Sequence, residues 1–346
     1  MQGQGFSDRG ACVHSPNCDV LRESLMKKRP SLSIVIPFLN EEAVLPLLRE
    51  RLGNTAGFPE DWSLILVSDG STDGSVEYVE SWMREQPRVK LLELSRNFGH
   101  QAAVTAGLAF ADGEYVAVMD ADLQDSPDTL IEMYEIGKSG FDVVYAVREA
   151  REGSLFRRLC YSVFYRIYGR LAETPVHLDS GDFCLMSRKA TDCLNSLPET
   201  VRFVRGLRSW IGLKTTSVAV RRPDRAAGES KYGFWKLMRL AAAGLTSFST
   251  RPLRLAMALG FGLCLSAIGL GLFYLIKALI FDLHTAAPGF ATLVVLLLFL
   301  NGTVMLLLGI LGEYLAQIFL EVKRRPTYVV DRFVDLETES EDRSEG

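Results

Sequence analysis

LSIVIPFLNEE (residues 32–42), SLILVSDGSTD (63–73) and EYVAVMDADLQD (114–125) follow one plan: a short apolar run that breaks off into Asn, Asp, Glu, Gly and Ser. Such a run reads as a strand buried on both faces. Two more strands are predicted at 89–94 and 141–147, with helices at 41–52, 75–85, 100–110 and 127–139 between them. Alternation of this kind predicts an α/β domain with a mainly parallel sheet covered on both sides. Ligands bind such sheets beyond the carboxyl ends of the strands. The candidate residues are therefore those that follow each strand: Asn40, Glu41 and Glu42, then Asp69 to Asp73, then Asp120, Ala121, Asp122, Leu123, Gln124 and Asp125.

Three acidic clusters on one edge repel each other and raise each other's pKa values. A divalent cation carrying an anionic ligand relieves this, and Mg²⁺ takes one or two carboxylates plus substrate phosphates. Asp120-Ala121-Asp122 fits that need if the intervening residue points away in an extended stretch, leaving both carboxylates on one side. Taken singly, each cluster has a plainer alternative. D-x-D is common, D-G-S-T-D makes an ordinary capped turn, and Asn40 could cap a helix starting at Glu41. Their joint placement at three strand ends favours a site. No GxGxxG follows the first strand and no GxxxxGK[ST] occurs, so a dinucleotide fold and a P-loop are unsupported.

The rest of the chain adds a membrane reading. Its 346 residues carry 38 Lys+Arg against 42 Asp+Glu, a balance that does not point to nucleic acid as a partner. Mean hydropathy is +0.13, and the apolar excess lies in two uncharged stretches, 255–276 and 290–312. Each is long enough to span a bilayer as a helix, so a transmembrane hairpin is predicted within 252–322. Lys236, Arg239, Arg251 and Arg254 precede it and Lys323, Arg324 and Arg325 follow it, which places both flanks in the cytoplasm. Residues 232–251 read as an interfacial amphipathic segment. Residues 1–30 read as a loose tail with no secretory signal, 31–231 as the catalytic domain, and 323–346 as a cytoplasmic tail. Glu313, near the cytoplasmic end of the second stretch, suits snorkelling or subunit pairing better than chemistry. The six cysteines fit no disulfide framework.

The series Ile36-Pro37-Phe38-Leu39-Asn40-Glu41-Glu42, Asp69-Gly70-Ser71-Thr72-Asp73 and Asp120-Ala121-Asp122-Leu123-Gln124-Asp125 resembles family 2 glycosyltransferases, in particular those that use polyisoprenyl phosphates. The resemblance continues through Gly181-Asp182-Phe183, Arg202-Phe203-Val204-Arg205-Gly206, Gly228-Glu229-Ser230-Lys231-Tyr232 and Gly312-Glu313-Tyr314-Leu315, covering residues 31–330. It implies a glycosyltransferase A-type fold and an inverting transfer of a hexose from a nucleotide sugar to polyprenyl phosphate. UDP-glucose is the first choice of donor, with UDP-GlcNAc and GDP-mannose open. The resemblance further implies that Pro37, Asn40, Glu41, Glu42, Asp69, Ser71, Asp120 and Ala121 line the nucleotide-sugar pocket, and that Asp120, Asp122 and Gln124 meet Mg²⁺ or Mn²⁺. It implies a homo-oligomer in the bacterial inner membrane, with the catalytic domain and both termini cytoplasmic.

Charge then sets what the acceptor end needs. A phosphate monoester, with a second pKa of about 6, is largely dianionic at pH 7, so a strong general base is unnecessary. Asp182 is expected to position the acceptor or take a residual proton, and Asp122 and Asp182 are the catalytic candidates. A dianion beside an acidic site needs cations, and Arg148, Arg157, Arg158, Arg225 and Lys231 are the candidates for the acceptor phosphate. A processive polysaccharide synthase is the rival enzyme reading, but Arg208-Ser209-Trp210 lacks the Q-x-x-R-W pattern. A non-catalytic membrane scaffold is the rival from another class, and the intact acidic set argues against it.

Overall fold

Seven fully buried residues form β1 (Leu32–Phe38), whose alternate side chains feed two different cores: Ile34 and Ile36 on one face, Val35 on the other. The computed structural model describes residues 29–148, 180–200, 202–220 and 290–336, with isolated helical positions between 253 and 276. After β1 come α1 (Leu45–Asn54), β2 (Trp62–Ser68), α2 (Ser75–Glu85), β3 (Val89–Leu94), α3 (His100–Phe110), β4 (Tyr115–Val118), α4 (Pro127–Lys138) and β5 (Val143–Arg148). Then follow β6 (Ser180–Ser187), α5 (Arg188–Ser196), α6 (Val204–Trp210), β7 (Thr215–Val220), α7 (Phe290–Lys323) and β8 (Val330–Val334).

The eight strands make one sheet in the order β7-β5-β6-β4-β1-β2-β3-β8. β4, β1, β2 and β3 run parallel, as the alternation predicts, but β6 is antiparallel to both β4 and β5, and β8 is antiparallel to β3. The sheet is therefore mixed. On one face α1, α2 and α4 bury Leu45, Leu48, Leu52, Val76, Val79, Trp82, Leu130 and Met133. On the other, α3, α5 and α6 bury Ala103, Val104, Ala106, Leu108, Leu194, Val204 and Leu207. α3 lies especially close to the strands, because a Cβ on Gly107 would come within 2.2 Å of Val35 Cγ1. That contact explains its run of small residues.

Register sets the level of each loop. β1 and β2 end together, with Phe38 beside Ser68, so the loops 39–44 and 69–74 start at one height. β4 stops with Val118 beside Val35, and Val118 also faces Cys184 of β6. Two residues further on, Asp120 and Asp182 therefore share the same edge and the α3 face of the sheet.

α7 runs on to Lys323, beyond the predicted stretch 290–312, since residues 313–323 contain no Gly or Pro. It ends where Arg324 takes a left-handed φ of 48° and Pro326 follows. Among the described residues one helix is long and apolar enough to cross a membrane, Phe299–Lys323, with mean hydropathy 1.8 and no buried share. The described positions between 253 and 276 are helical, and a Cβ on Gly260 would lie 3.9 Å from Leu307 Cδ1. The predicted tail 323–346 holds an unforeseen element, β8, on the β3 edge. The interfacial segment 232–251 lies outside the described residues.

Candidate active site

The first two loops are stitched together. Asn40, at a left-handed φ of 55°, donates its backbone N–H to Ser71 Oγ (3.1 Å) and accepts at Oδ1 from the Thr72 N–H (2.8 Å). Glu41 N–H donates to Ser75 Oγ (2.9 Å), Glu42 N–H to Asp73 Oδ2 (3.3 Å), and the Gly74 N–H to Glu42 Oε2 (3.2 Å). Helix α1 begins at Leu45 rather than Glu41, so Asn40 joins two loops instead of capping a helix. Gly70 allows the third loop to approach: its φ is 71°, and a Cβ there would fall 2.5 Å from the backbone carbon of Arg96. Asp69, 4% exposed, accepts from the backbone N–H groups of Phe98 (2.7 Å) and Gly99 (2.9 Å). Its carboxylate thus shapes the β3–α3 loop.

The 120–125 segment is a turn, not an extended stretch, with Leu123 at φ 60°. Buried Asp125 accepts from the Asp120 N–H (3.2 Å), Asp122 Oδ1 from the Gln124 N–H (3.1 Å), and Arg51 donates to the Leu123 carbonyl (2.7 Å). Ala121 turns into the core while Asp122 is exposed. Glu41 has a raised pKa, through burial first and then the charges of Asp122 and Asp73. The acidic loops after β1, β2 and β4 therefore share one electrostatic environment. Among the described residues no group of three or more His, Cys, Asp or Glu side chains is arranged to hold a metal. The donor set of two carboxylates and the Gln124 amide fits a hard cation that takes its remaining ligands from phosphates and water.

Asp182, 5% exposed, lies across from this acidic end. Arg205 donates to both its oxygens, Nε to Oδ1 and Nη2 to Oδ2, each at 2.8 Å. Gln101 Nε2 donates to Oδ2 (3.2 Å), and His100 Nε2 lies 3.1 Å from the same oxygen. Behind it the fully buried Arg208 donates to the carbonyls of Asp182 (3.2 Å) and Gly181 (3.1 Å). Burial pushes the Asp182 pKa up, but Arg205 and His100 outweigh it and hold the carboxyl far below the usual range. His100 Nε2 is also 3.6 Å from Asp120 Oδ1, so one imidazole lies between the 120–125 turn and the Asp182 cluster.

The hydrogen bond to Asp182 raises the pKa of His100, against the effect of burial. Its folded value therefore lies above the unfolded one of about 6.5. Its stabilising contribution is full below that unfolded value and is lost as pH rises through the raised one. NMR titration of labelled histidine, with H100Q for assignment, should find this ring titrating above 6.5, and Asp182→Asn should bring it down.

Of the acceptor-phosphate candidates, Arg148 closes β5 with its side chain outside the described residues. Arg157, Arg158, Arg225 and Lys231 also lie outside them. His100 and Gln101 are not singled out from sequence; Arg205 enters only within the motif 202–206, Arg208 only in the comparison with Q-x-x-R-W, and Asp125 only as one of the residues after the fourth strand. The signal for His100 and Gln101 is the loop Ser95-Arg96-Asn97-Phe98-Gly99 after β3, the strand end left unread.

The sequence profile of Glycosyl transferase family 2 matches residues 33–194, which hold the strands and loops just described. An uncharacterized glycosyltransferase of Bacillus subtilis, YkcC, is 40% identical over 316 residues, 90% of this chain and 97% of that protein. The chain belongs to glycosyl transferase family 2. A second relative of this glycosyltransferase, the SfII prophage-derived bactoprenol glucosyl transferase of Shigella flexneri, is 34% identical over 87% of this chain and 97% of its own length. Among solved structures, the mannosyltransferase PcManGT from Pyrobaculum calidifontis, in complex with GDP-Man and Mn²⁺, aligns with a TM-score of 0.45 at 19% identity. It covers 86% of this chain and 90% of that one.

Proposed function

We propose that this glycosyltransferase moves a hexose, glucose from UDP-glucose before other donors, onto a polyprenyl phosphate at the cytoplasmic face of a membrane, with inversion at the sugar carbon. The observation that carries the reading is the division of the site: an acidic donor end on Glu41, Asp73 and Asp122, and an acceptor end where Asp182 is ringed by Arg205, Arg208, His100 and Gln101. The relatives named bactoprenol glucosyl transferase support the acceptor class. The apolar helix in 299–323 supports the membrane setting, and the hairpin reading of 252–322 goes with it.

Asp120 and Asp122, with Gln124 beside them, would hold Mg²⁺ or Mn²⁺, which would supply positive charge against the negative charge developing on the departing nucleoside diphosphate. The stitched loops 39–44 and 69–74, including Asn40, Glu41, Glu42, Asp69 and Ser71, would cradle the nucleotide. An oxygen of the acceptor phosphate would attack the anomeric carbon as its bond to the diphosphate breaks. The acceptor enters largely as a dianion and loses no proton in that step. A carboxyl with a pKa far below the usual range is a poor base, so Asp182 would act by fixing Arg205 and His100 toward the acceptor.

The test measures nucleoside diphosphate release from a panel of nucleotide sugars with the protein in membranes. Release from one donor, dependent on added polyprenyl phosphate and on Mg²⁺ or Mn²⁺, is the expected result. Equal release without lipid would identify a hydrolase, and polymer formation would identify a processive synthase. Either outcome overturns the reading.

A further inference from the structure

We infer that the cytoplasmic end of α7 positions the Asp182 cluster, and that Glu321 is the residue through which it does so. The inference rests on the reading of Asp182 as the acceptor end of the site.

Both carboxylate oxygens of Glu321 accept from the backbone N–H of Thr200, at 3.1 and 3.0 Å. Thr327 Oγ1, just past the helix, donates to the Thr200 carbonyl (3.5 Å). Both backbone polar groups of one loop residue are thereby engaged by the segment that leaves the apolar helix. Thr200 belongs to the loop between α5 and α6. Arg202 stiffens that loop by donating to the carbonyls of Leu197, Glu199 (3.3 Å) and Asn195 (3.4 Å). Two residues beyond Arg202, the Val204 N–H donates to Gln101 Oε1 (3.1 Å), and the other end of that amide holds Asp182. The next residue is Arg205, the bidentate partner of Asp182. Arg205, which holds the aspartate, is thus only five positions along the chain from Thr200, where Glu321 anchors the loop.

The far side of the same segment is fastened too. Ser95 N–H donates to the Val329 carbonyl (3.0 Å), β8 pairs with β3, and Arg332 pairs with Glu80 (2.7 Å) and Glu93 (2.6 Å). The 34 residues of α7 span about 51 Å at 1.5 Å each, well over a hydrocarbon core of about 30 Å. Its last turns therefore project to the level of the catalytic domain. The Thr200 N–H is shared between the two oxygens of an ionised side chain, and an ionised acceptor binds an N–H more strongly than a neutral one. Glu321 thus sets where the α5–α6 loop sits relative to the helix. The donor loops 39–44 and 69–74 follow β1 and β2 and are not part of the α5–α6 segment that Glu321 anchors, so donor binding should be insensitive to this link.

Glu321→Ala in the full chain, which removes the acceptor oxygens, should lower kcat for transfer about tenfold and leave the nucleotide-sugar KM within about twofold. In an Arg205→Lys background the same change should cost less than about twofold, because the link acts through Arg205. An undiminished kcat, or full multiplicativity of the two changes, overturns the inference. Amide exchange decides independently of any reaction: Glu321→Ala should speed exchange in peptides covering 198–206 and 180–187 and leave 62–75 unchanged. Thr327→Val, which removes the longer contact, should do the same to a smaller degree. Unchanged exchange at 180–187 in both variants overturns the inference even if activity falls. Wild-type protein that transfers to no polyprenyl phosphate would remove the proposed function, and the exchange result would still decide the link.

Discussion

Asp122→Asn should lower sugar transfer about a thousandfold, since removing one group that stabilises charge in the transition state costs between about a hundredfold and a thousandfold. The fold should tolerate it. Asp122 is exposed in a turn, its Oδ1 accepts a local N–H from Gln124 among the described residues, and an asparagine carbonyl can replace that contact. The substitution also removes one of the charges that raise the Glu41 pKa, so the change is not electrostatically silent. The check pairs turnover with a thermal melt. A Tm within a few degrees of wild type alongside the loss of transfer is the expected result. Retention of more than about a tenth of the activity would remove Asp122 from the list of metal ligands.

Asp182→Asn should be costly in a different way. The carboxylate is buried and receives two bonds from Arg205 and one from Gln101, with His100 beside it and Arg208 on its carbonyl. Removing the charge leaves these cations facing one another, and breaking such a buried pair costs about 3 kcal/mol, the lower end of its range because Arg205 keeps solvent contact. Both Tm and transfer should therefore fall, transfer by about a hundredfold or more. The pH dependence has a definite sign. The folded pKa of Asp182 is depressed, so its stabilisation is complete above the ordinary aspartate value of about 3.9 and is lost as pH falls below it. The stability gap between wild type and variant should hold at neutral pH and narrow under acid. Unchanged turnover of the variant at saturating lipid would end any role for Asp182 in the reaction.

These two aspartates mark how far local pattern reaches. Asp120 and Asp122 are legible because a strand ends in a polar run, and strand ends in a parallel sheet are where ligands bind. The nearby geometry is less legible: Asp122 lies in a turn with a left-handed residue, where alternation of an extended chain would put it elsewhere. Asp69 stands in the predicted loop, but its carboxylate is committed to the Phe98 and Gly99 amides, a use that depends on a loop some thirty residues away. His100 opens a helix of mostly small neighbours, and the loop after β3 that precedes it carries no acidic cluster to draw attention to that strand end. Only the crossover of β4 beside antiparallel β6 brings Asp120 and Asp182 to one edge with the start of α3 between them.

The order of strands and helices, the acidic strand ends and the apolar C-terminal stretch follow from local pattern, because burial period, turn chemistry and chain length act over a few residues at a time. The direction of β6, the return of β8 to the β3 edge, the ring of cations around Asp182 and the Glu321–Thr200 link are long-range pairings. Those were decided by tertiary structure, since a hydrogen bond between residues 121 positions apart leaves no periodicity in the chain that makes it.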